Sequence, residues 1–186
     1  MTGKTHVLGG MTFALGGFLC MKAGGMLIPD VAEPLQLGII MPYAIWSSTL
    51  PDLDQAKESV AQSSPINLVI QKIFTLVGAG HRSVKSHVIP MLISLVLYLA
   101  IGFGYLLHGF NGTEITIIGL MTLGIFLGLL SHFILDIMTR KGIKVGGIIV
   151  RVVPDTDLFG TGTLYENIVR KCLYIIVCIF IVFLFL

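Results

Sequence analysis

Charge is what this sequence has least of. Only 12% of its 186 residues are Asp, Glu, Lys or Arg, about half the share of an ordinary soluble domain. With 55% hydrophobic residues and a mean hydropathy of +0.93, the chain belongs in a membrane. The net charge of +2 and the lack of a basic cluster interleaved with aromatics argue against a nucleic-acid partner. Cysteine is equally sparse. Cys20, Cys172 and Cys178 lie in apolar runs, are odd in number and form no CxxC. They predict reduced packing residues, with no disulfide frame and no thiolate zinc site. There is no GxSxG, Walker A or GxGxxG sequence, no internal repeat, and no linker long enough to divide residues 1–186 into more than one domain.

What is present is long apolar stretches. Spans are expected over about 7–28, 35–50, 88–107 and 115–135, and a fifth over 168–186. The second is short, so a tilted or partly buried helix is the alternative there. Residues 66–79, INLVIQKIFTLVGA, read as an amphipathic helix at the membrane interface. The first run has only Lys4 before it, is interrupted by Lys22 and lacks a small-x-small site, so it is expected to be a retained helix and not a signal peptide. Small residues such as Gly124-xxx-Gly128 allow close helix approach. Residues 142–163, with β-branched residues between glycines, predict a short hairpin or irregular cap. The expected fold is thus an all-α polytopic bundle of about five transmembrane helices, with an interfacial helix and a small cap.

The lysines and arginines set the expected orientation. Lys4, the 51–87 loop and the 136–171 segment hold eleven of the twelve positive residues, leaving Lys22 near the far end of the first helix. If the first four runs all span, that side and the N-terminus are cytoplasmic, as in a multi-pass inner-membrane protein.

Polar residues gather on the same side. His6 opens the first helix, LPDLD places Asp52 and Asp54 after the second, and GHRSVKSH places His81 and His87 before the third. His132 and Asp136 close the fourth, one helical turn apart on one face. Four of five histidines and three of six aspartates therefore come to one membrane face, His108 being the exception. Each piece alone has an ordinary explanation. A lone histidine at a membrane edge is commonly structural, PDxD is commonly a turn, HxxxD can be a helix-end hydrogen bond, and Arg82 and Lys85 can be topology signals. Seven such groups at one depth are costly unless paired or liganded.

Imidazoles and carboxylates without thiolates suit Zn²⁺, Mn²⁺ or Fe²⁺. Seven donors exceed the need of one tetrahedral ion, so one or two ions are expected. A metal-activated hydroxide would attack a phosphoester, with Arg82 stabilising the developing charge and Lys85 available as an acid.

The ordered set Thr5-His6, LPDLD (50–54), GHR (80–82), His87 and LSHFILDIMTRKGI (130–143) resembles the YdjM-like membrane proteins. These are bacterial and phage proteins described as LexA-regulated, membrane-bound, metal-dependent hydrolases. The resemblance runs from residue 3 to about 170 and implies a metal-dependent hydrolase without naming its substrate. The His, PDxD, His, HxxxD order is also loosely similar to zinc-dependent phospholipase C proteins, which points to a phosphoester of a membrane lipid or lipid-linked compound. In the family pattern the two histidines of GHRGxTHS are five apart. Here His81 and His87 are six apart, which puts His87 in question as a ligand before His81. Pro154 and Glu166 loosely match a family proline and glutamate, and by that resemblance Glu166 is a further ligand or base.

A cation transporter or a metal-stabilised regulatory protein is the alternative. A transporter should carry its ionisable groups at mid-membrane, whereas here the centres of the runs are clean. A homo-oligomer is compatible with the sequence.

Overall fold

The computed structural model describes residues 1–29, 31–54, 64–108 and 113–185, and only the backbone of residues 54, 105–108 and 113. Among the described residues six α-helices run as α1 (Gly3–Ala23), α2 (Glu33–Ser47), α3 (Pro65–Leu76), α4 (Val84–His108), α5 (Thr113–Ile137) and α6 (Leu164–Leu184). A 3₁₀ turn, Leu50–Asp54, follows α2, and a second, Asp157–Phe159, precedes α6. Strands β1 (Ile143–Val145) and β2 (Ile148–Val150) form the hairpin, pairing antiparallel with Ile143 opposite Val150. Gly146 and Gly147, at φ 55° and 88°, supply the left-handed pair that a two-residue turn requires.

Helix α1 ends five residues before the expected boundary. Gly25 adopts φ +64°, Met26 N–H donates to Met21 O and Gly25 N–H to Lys22 O, so a Schellman cap closes the helix inside an apolar stretch. Hydropathy does not register such a cap. At the other end α1 starts at Gly3 because its polar first turn is helical as well.

Four helical segments among the described residues are long and apolar enough to cross a membrane, those of α1, α4, α5 and α6. The expected second span is not among them. With 15 residues, α2 is about 22 Å long, against a hydrocarbon core of about 30 Å. It still returns the chain to the end where α1 began, since Asp52 beyond α2 lies 3.6 Å from His6. From the first turn of α2, the fully buried Gln36 side chain accepts from Ile28 N and donates to the carbonyls of Ile28 and Val31 in the preceding loop. Non-helical backbone inside a bundle needs such satisfaction.

Helix α5 is the hub, packing against α1, α2 and α4, while α6 lies on α1. The core joins Ala14 and Phe18 of α1, Ile40 and Ala44 of α2, and Leu120 and Leu123 of α5. A side chain at Gly124 would meet Ile40 O at 2.5 Å, and one at Gly128 would overlap Ala44 O and Ser47 Oγ, so glycine sets how closely α2 and α5 approach. Ser47 Oγ crosses that seam to Ile125 O at 3.0 Å. Cys20, Cys172 and Cys178 are free, as expected, but exposed. They lie on the outer faces of α1 and α6 and do not pack in the core, a distinction that an apolar run cannot reveal.

Helix α3 turns Asn67 and Gln71 inward. Trp46 Nε1 donates to Asn67 Oδ1 at 2.8 Å and Gln71 Nε2 to Leu53 O at 3.0 Å, while Ile66, Ile73 and Leu76 are exposed. That is the presentation of a helix lying at a lipid boundary.

Candidate metal centre

Three helix ends and one turn build the site. His132 and Asp136 occupy the last turns of α5, both fully buried, with His132 Nε2 3.4 Å from Asp136 Oδ2. His87 is the fourth residue of α4 and is also buried, with Nε2 3.2 Å from the same Oδ2. Pro51 closes α2 into the 3₁₀ turn that carries Asp52, whose Oδ1 is 3.8 Å from His132 Nε2. Each of Asp52, His87, His132 and Asp136 offers one donor atom, and all four atoms lie within 4.8 Å of one another.

The hydrogen bonds assign the ring tautomers. His132 Nδ1 faces Ser48 O at 2.7 Å, and a carbonyl only accepts, so Nδ1 carries the proton. His87 Nδ1 lies 2.8 Å from Ser86 Oγ. The single hydroxyl proton of Ser86 can go to the carbonyl of Gly80 or Ser83 or to His87 Nδ1, and when it goes to a carbonyl His87 Nδ1 donates to Ser86. In the neutral ring His132 Nε2 is then a lone pair aimed at a carboxylate, acceptor against acceptor, and His87 Nε2 joins it in the tautomer with Nδ1 protonated. That contact is unfavourable until a cation stands between them, and an outward N–H to a carbonyl or hydroxyl is how metal-binding histidines are usually held. His132 Nε2 has no hydrogen-bond partner among the described residues. The donor set therefore fits a divalent ion.

His6 adjoins this group. Its ring stacks on that of His132, with centroids 3.8 Å apart and planes 15° from parallel. Neither His6 nitrogen has a hydrogen-bond partner among the described residues. Nε2 lies 3.6 Å from both Asp52 Oδ2 and Asp136 Oδ1.

The two oxygens of Asp136 face different groups. Oδ2 meets the imidazoles of His87 and His132, whereas Oδ1 accepts from Arg82 Nη2 at 3.1 Å and lies 3.4 Å from the Met1 amine and 3.6 Å from His6 Nε2. Arg82 is buried, at φ 57°. It also donates to Thr139 Oγ1 at 2.6 Å and reaches Gly142 O at 3.4 Å.

The two histidines that the spacing argument weighed lie differently. His87 belongs to the four-donor group, while His81 is half-exposed, with Nδ1 3.9 Å from Asp52 Oδ1. The left-handed backbone at Arg82 turns the chain so that α4 starts at Val84, and this absorbs the extra residue before the helix begins. The exposed Lys85 donates Nζ to Val77 O at 2.7 Å, ending α3; no described contact joins it to the cluster. Glu166 is buried and accepts from Thr2 N, from Thr5 Oγ1 at 2.7 Å and from Gly162 N at 2.6 Å. It ties the start of α6 to the start of α1. The side chains of Asp54 and His108 lie outside the described residues.

Sequence reasoning gave no role to Ser48, Ser86, Thr139 or Gly142. The last two do appear in the TxxG that follows HxxxD, and their contacts with Arg82 account for that part of the motif.

Fold and cluster together define a polytopic helical membrane protein with a buried Asp/His group able to hold a metal ion. The chain belongs to the YdjM inner membrane protein family, whose profile matches residues 1–146. Comparison with curated proteins and with solved structures gives no significant match.

Proposed function

We propose that the protein is a membrane-embedded, metal-dependent hydrolase acting on a phosphoester, with its site on the cytoplasmic face. The observation that carries this reading is the convergence of Nε2 of His87 and His132 with the carboxylates of Asp52 and Asp136 within 4.8 Å. These four residues hold the ion, with His6 beside them. Zinc suits the set, and manganese or iron is also compatible with it. A divalent ion bound there supplies an activated water and draws charge from the phosphoryl oxygens.

The protein's own groups do the rest. Ser48 O and the Ser86 hydroxyl keep the imidazoles in the Nδ1–H form with Nε2 inward. Arg82 holds one oxygen of Asp136 so that the other faces His87 and His132, which makes it a positioning residue. His81, half-exposed beside Asp52, is placed to hydrogen-bond an entering substrate. Asp52 is the most accessible of the four donors, with its side chain 21% exposed, so the opening lies on its side.

A second reading, a metal that only stabilises the fold, rests on the donor count: four donors fill a tetrahedral sphere. Metal analysis of detergent-purified protein beside Asp52→Ala and Asp136→Ala, followed by phosphoester hydrolysis assays, separates the two. Stoichiometric metal in the wild type, lost in both variants together with hydrolysis, supports the enzyme. Metal without hydrolysis of any phosphoester supports the stabilising role, and no metal at all defeats both.

A further inference from the structure

A second feature opens beside the metal cluster. Between the hairpin, the end of α5 and the loop before α4 lies a cleft of about 460 Å³ whose walls include His81, Arg82, Arg140, Lys141, Lys144 and Arg151. His81 and Arg82 belong to both places, being 3.9 Å from Asp52 and 3.1 Å from Asp136 respectively. The cleft thus adjoins the donor group.

Its charges are unevenly satisfied. Arg140 pairs with Asp157, Arg151 with Asp155, and Arg82 with Asp136. Lys141 and Lys144 are exposed, and their ammonium groups make no ion pair or hydrogen bond among the described residues. A topology signal explains cations on a loop, but it does not require the loop to be fixed. Here the hairpin is fastened on both sides. Lys144 N–H donates to Arg82 O at 2.8 Å, Arg151 Nη1 to Arg140 O at 2.9 Å and Val152 N–H to Ile137 O at 2.9 Å. Gly142, at φ +56°, lies so close to Val150 O that any side chain there would collide with it. The two unpaired lysines are therefore held around one cavity next to the cluster, as an anion subsite requires.

We infer that this cleft binds a second phosphate directly attached to the one at the metal cluster, so that the substrate class is a diphosphate ester. This rests on the phosphoester reading above and narrows it. The tandem phosphate can belong to a lipid or to a soluble ester.

The test uses the full chain in nanodiscs of zwitterionic lipid, stripped of metal by a chelator, titrated separately with inorganic pyrophosphate and inorganic phosphate. Pyrophosphate is expected to bind more tightly than phosphate. Lys141→Ala/Lys144→Ala should weaken it about thirtyfold, about fivefold for each lysine, while Lys141→Arg/Lys144→Arg should retain binding. Absence of saturable pyrophosphate binding, equal affinity for phosphate, or indifference to the double alanine variant would overturn the inference. Doping the discs with a prenyl diphosphate separates the sources. Competition with pyrophosphate assigns the subsite to a lipid, and undiminished binding assigns it to a soluble ester. Because no metal is present, an inert cleft on an active hydrolase and a binding cleft on an inactive protein give different results.

Discussion

Arg82 reaches Asp136 with both residues buried, Nη2 to Oδ1 at 3.1 Å, from a backbone position that few non-glycine residues occupy. The pair joins the loop before α4 to the last turn of α5. Removing one partner of a buried ion pair leaves the other charge uncompensated, which costs about 3–5 kcal/mol. Arg82→Ala should lower unfolding stability in detergent by about that amount. Arg82→Lys should recover only part of it, because one ammonium does not reproduce a fork that serves Asp136 and Thr139 together. A loss below about 1 kcal/mol in Arg82→Ala would show that the pair behaves as a solvated one.

Ser86 touches only the far side of the His87 ring. Ser86→Ala should reduce metal affinity about 10- to 100-fold while leaving the stoichiometry at saturation unchanged, as read by competition with a chelating dye. Unchanged affinity would mean that His87 is not a ligand.

Glu166 has all its described hydrogen bonds with Thr2, Thr5 and Gly162. Glu166→Ala should keep bound metal and lose about 1–3 kcal/mol of stability, seen as a lower denaturant midpoint. If the variant loses metal at unchanged stability, the residue is a ligand, as the family resemblance implies.

The seam between α2 and α5 offers a paired comparison. Gly128→Ala places a methyl against Ala44 O and Ser47 Oγ, and overpacking of this kind costs about 1–3 kcal/mol. Gly38→Ala, with nothing within 4 Å of the added carbon, should be neutral or slightly stabilising. Thermal unfolding of both variants in one detergent is the measurement, and equal midpoints would show that close approach of the helices is unimportant.

The sequence made the helices legible because lipid-facing sides need only be apolar, and hydropathy measures that directly. It misplaced their ends because capping is local backbone chemistry, as at Gly24-Gly25, and because polar first turns such as Gly3–His6 are helical without being apolar. It counted α2 as a span from charge on the flanking loops, a signal that reports where the ends emerge and not how long the helix is. The metal-type residues were legible through their shared position at the helix ends. Which of them converge was not, because that depends on the turn at Arg82 and on the direction in which each ring is held. Ser86 and Ser48 were invisible for a related reason: one contributes a hydroxyl and the other a backbone carbonyl, and no residue type advertises either role.

The residues at the cluster are scattered along the chain, from His6 in the first turns of α1 to Asp136 in the last turn of α5. During synthesis the pocket has no complete form until α5 has emerged and entered the bundle. Until then His6 and Asp52 lack the partners that make them ligands. An ion held by Asp52, His87, His132 and Asp136 together could therefore be captured only late in assembly, and a nascent chain stalled within α5 would lack the complete group.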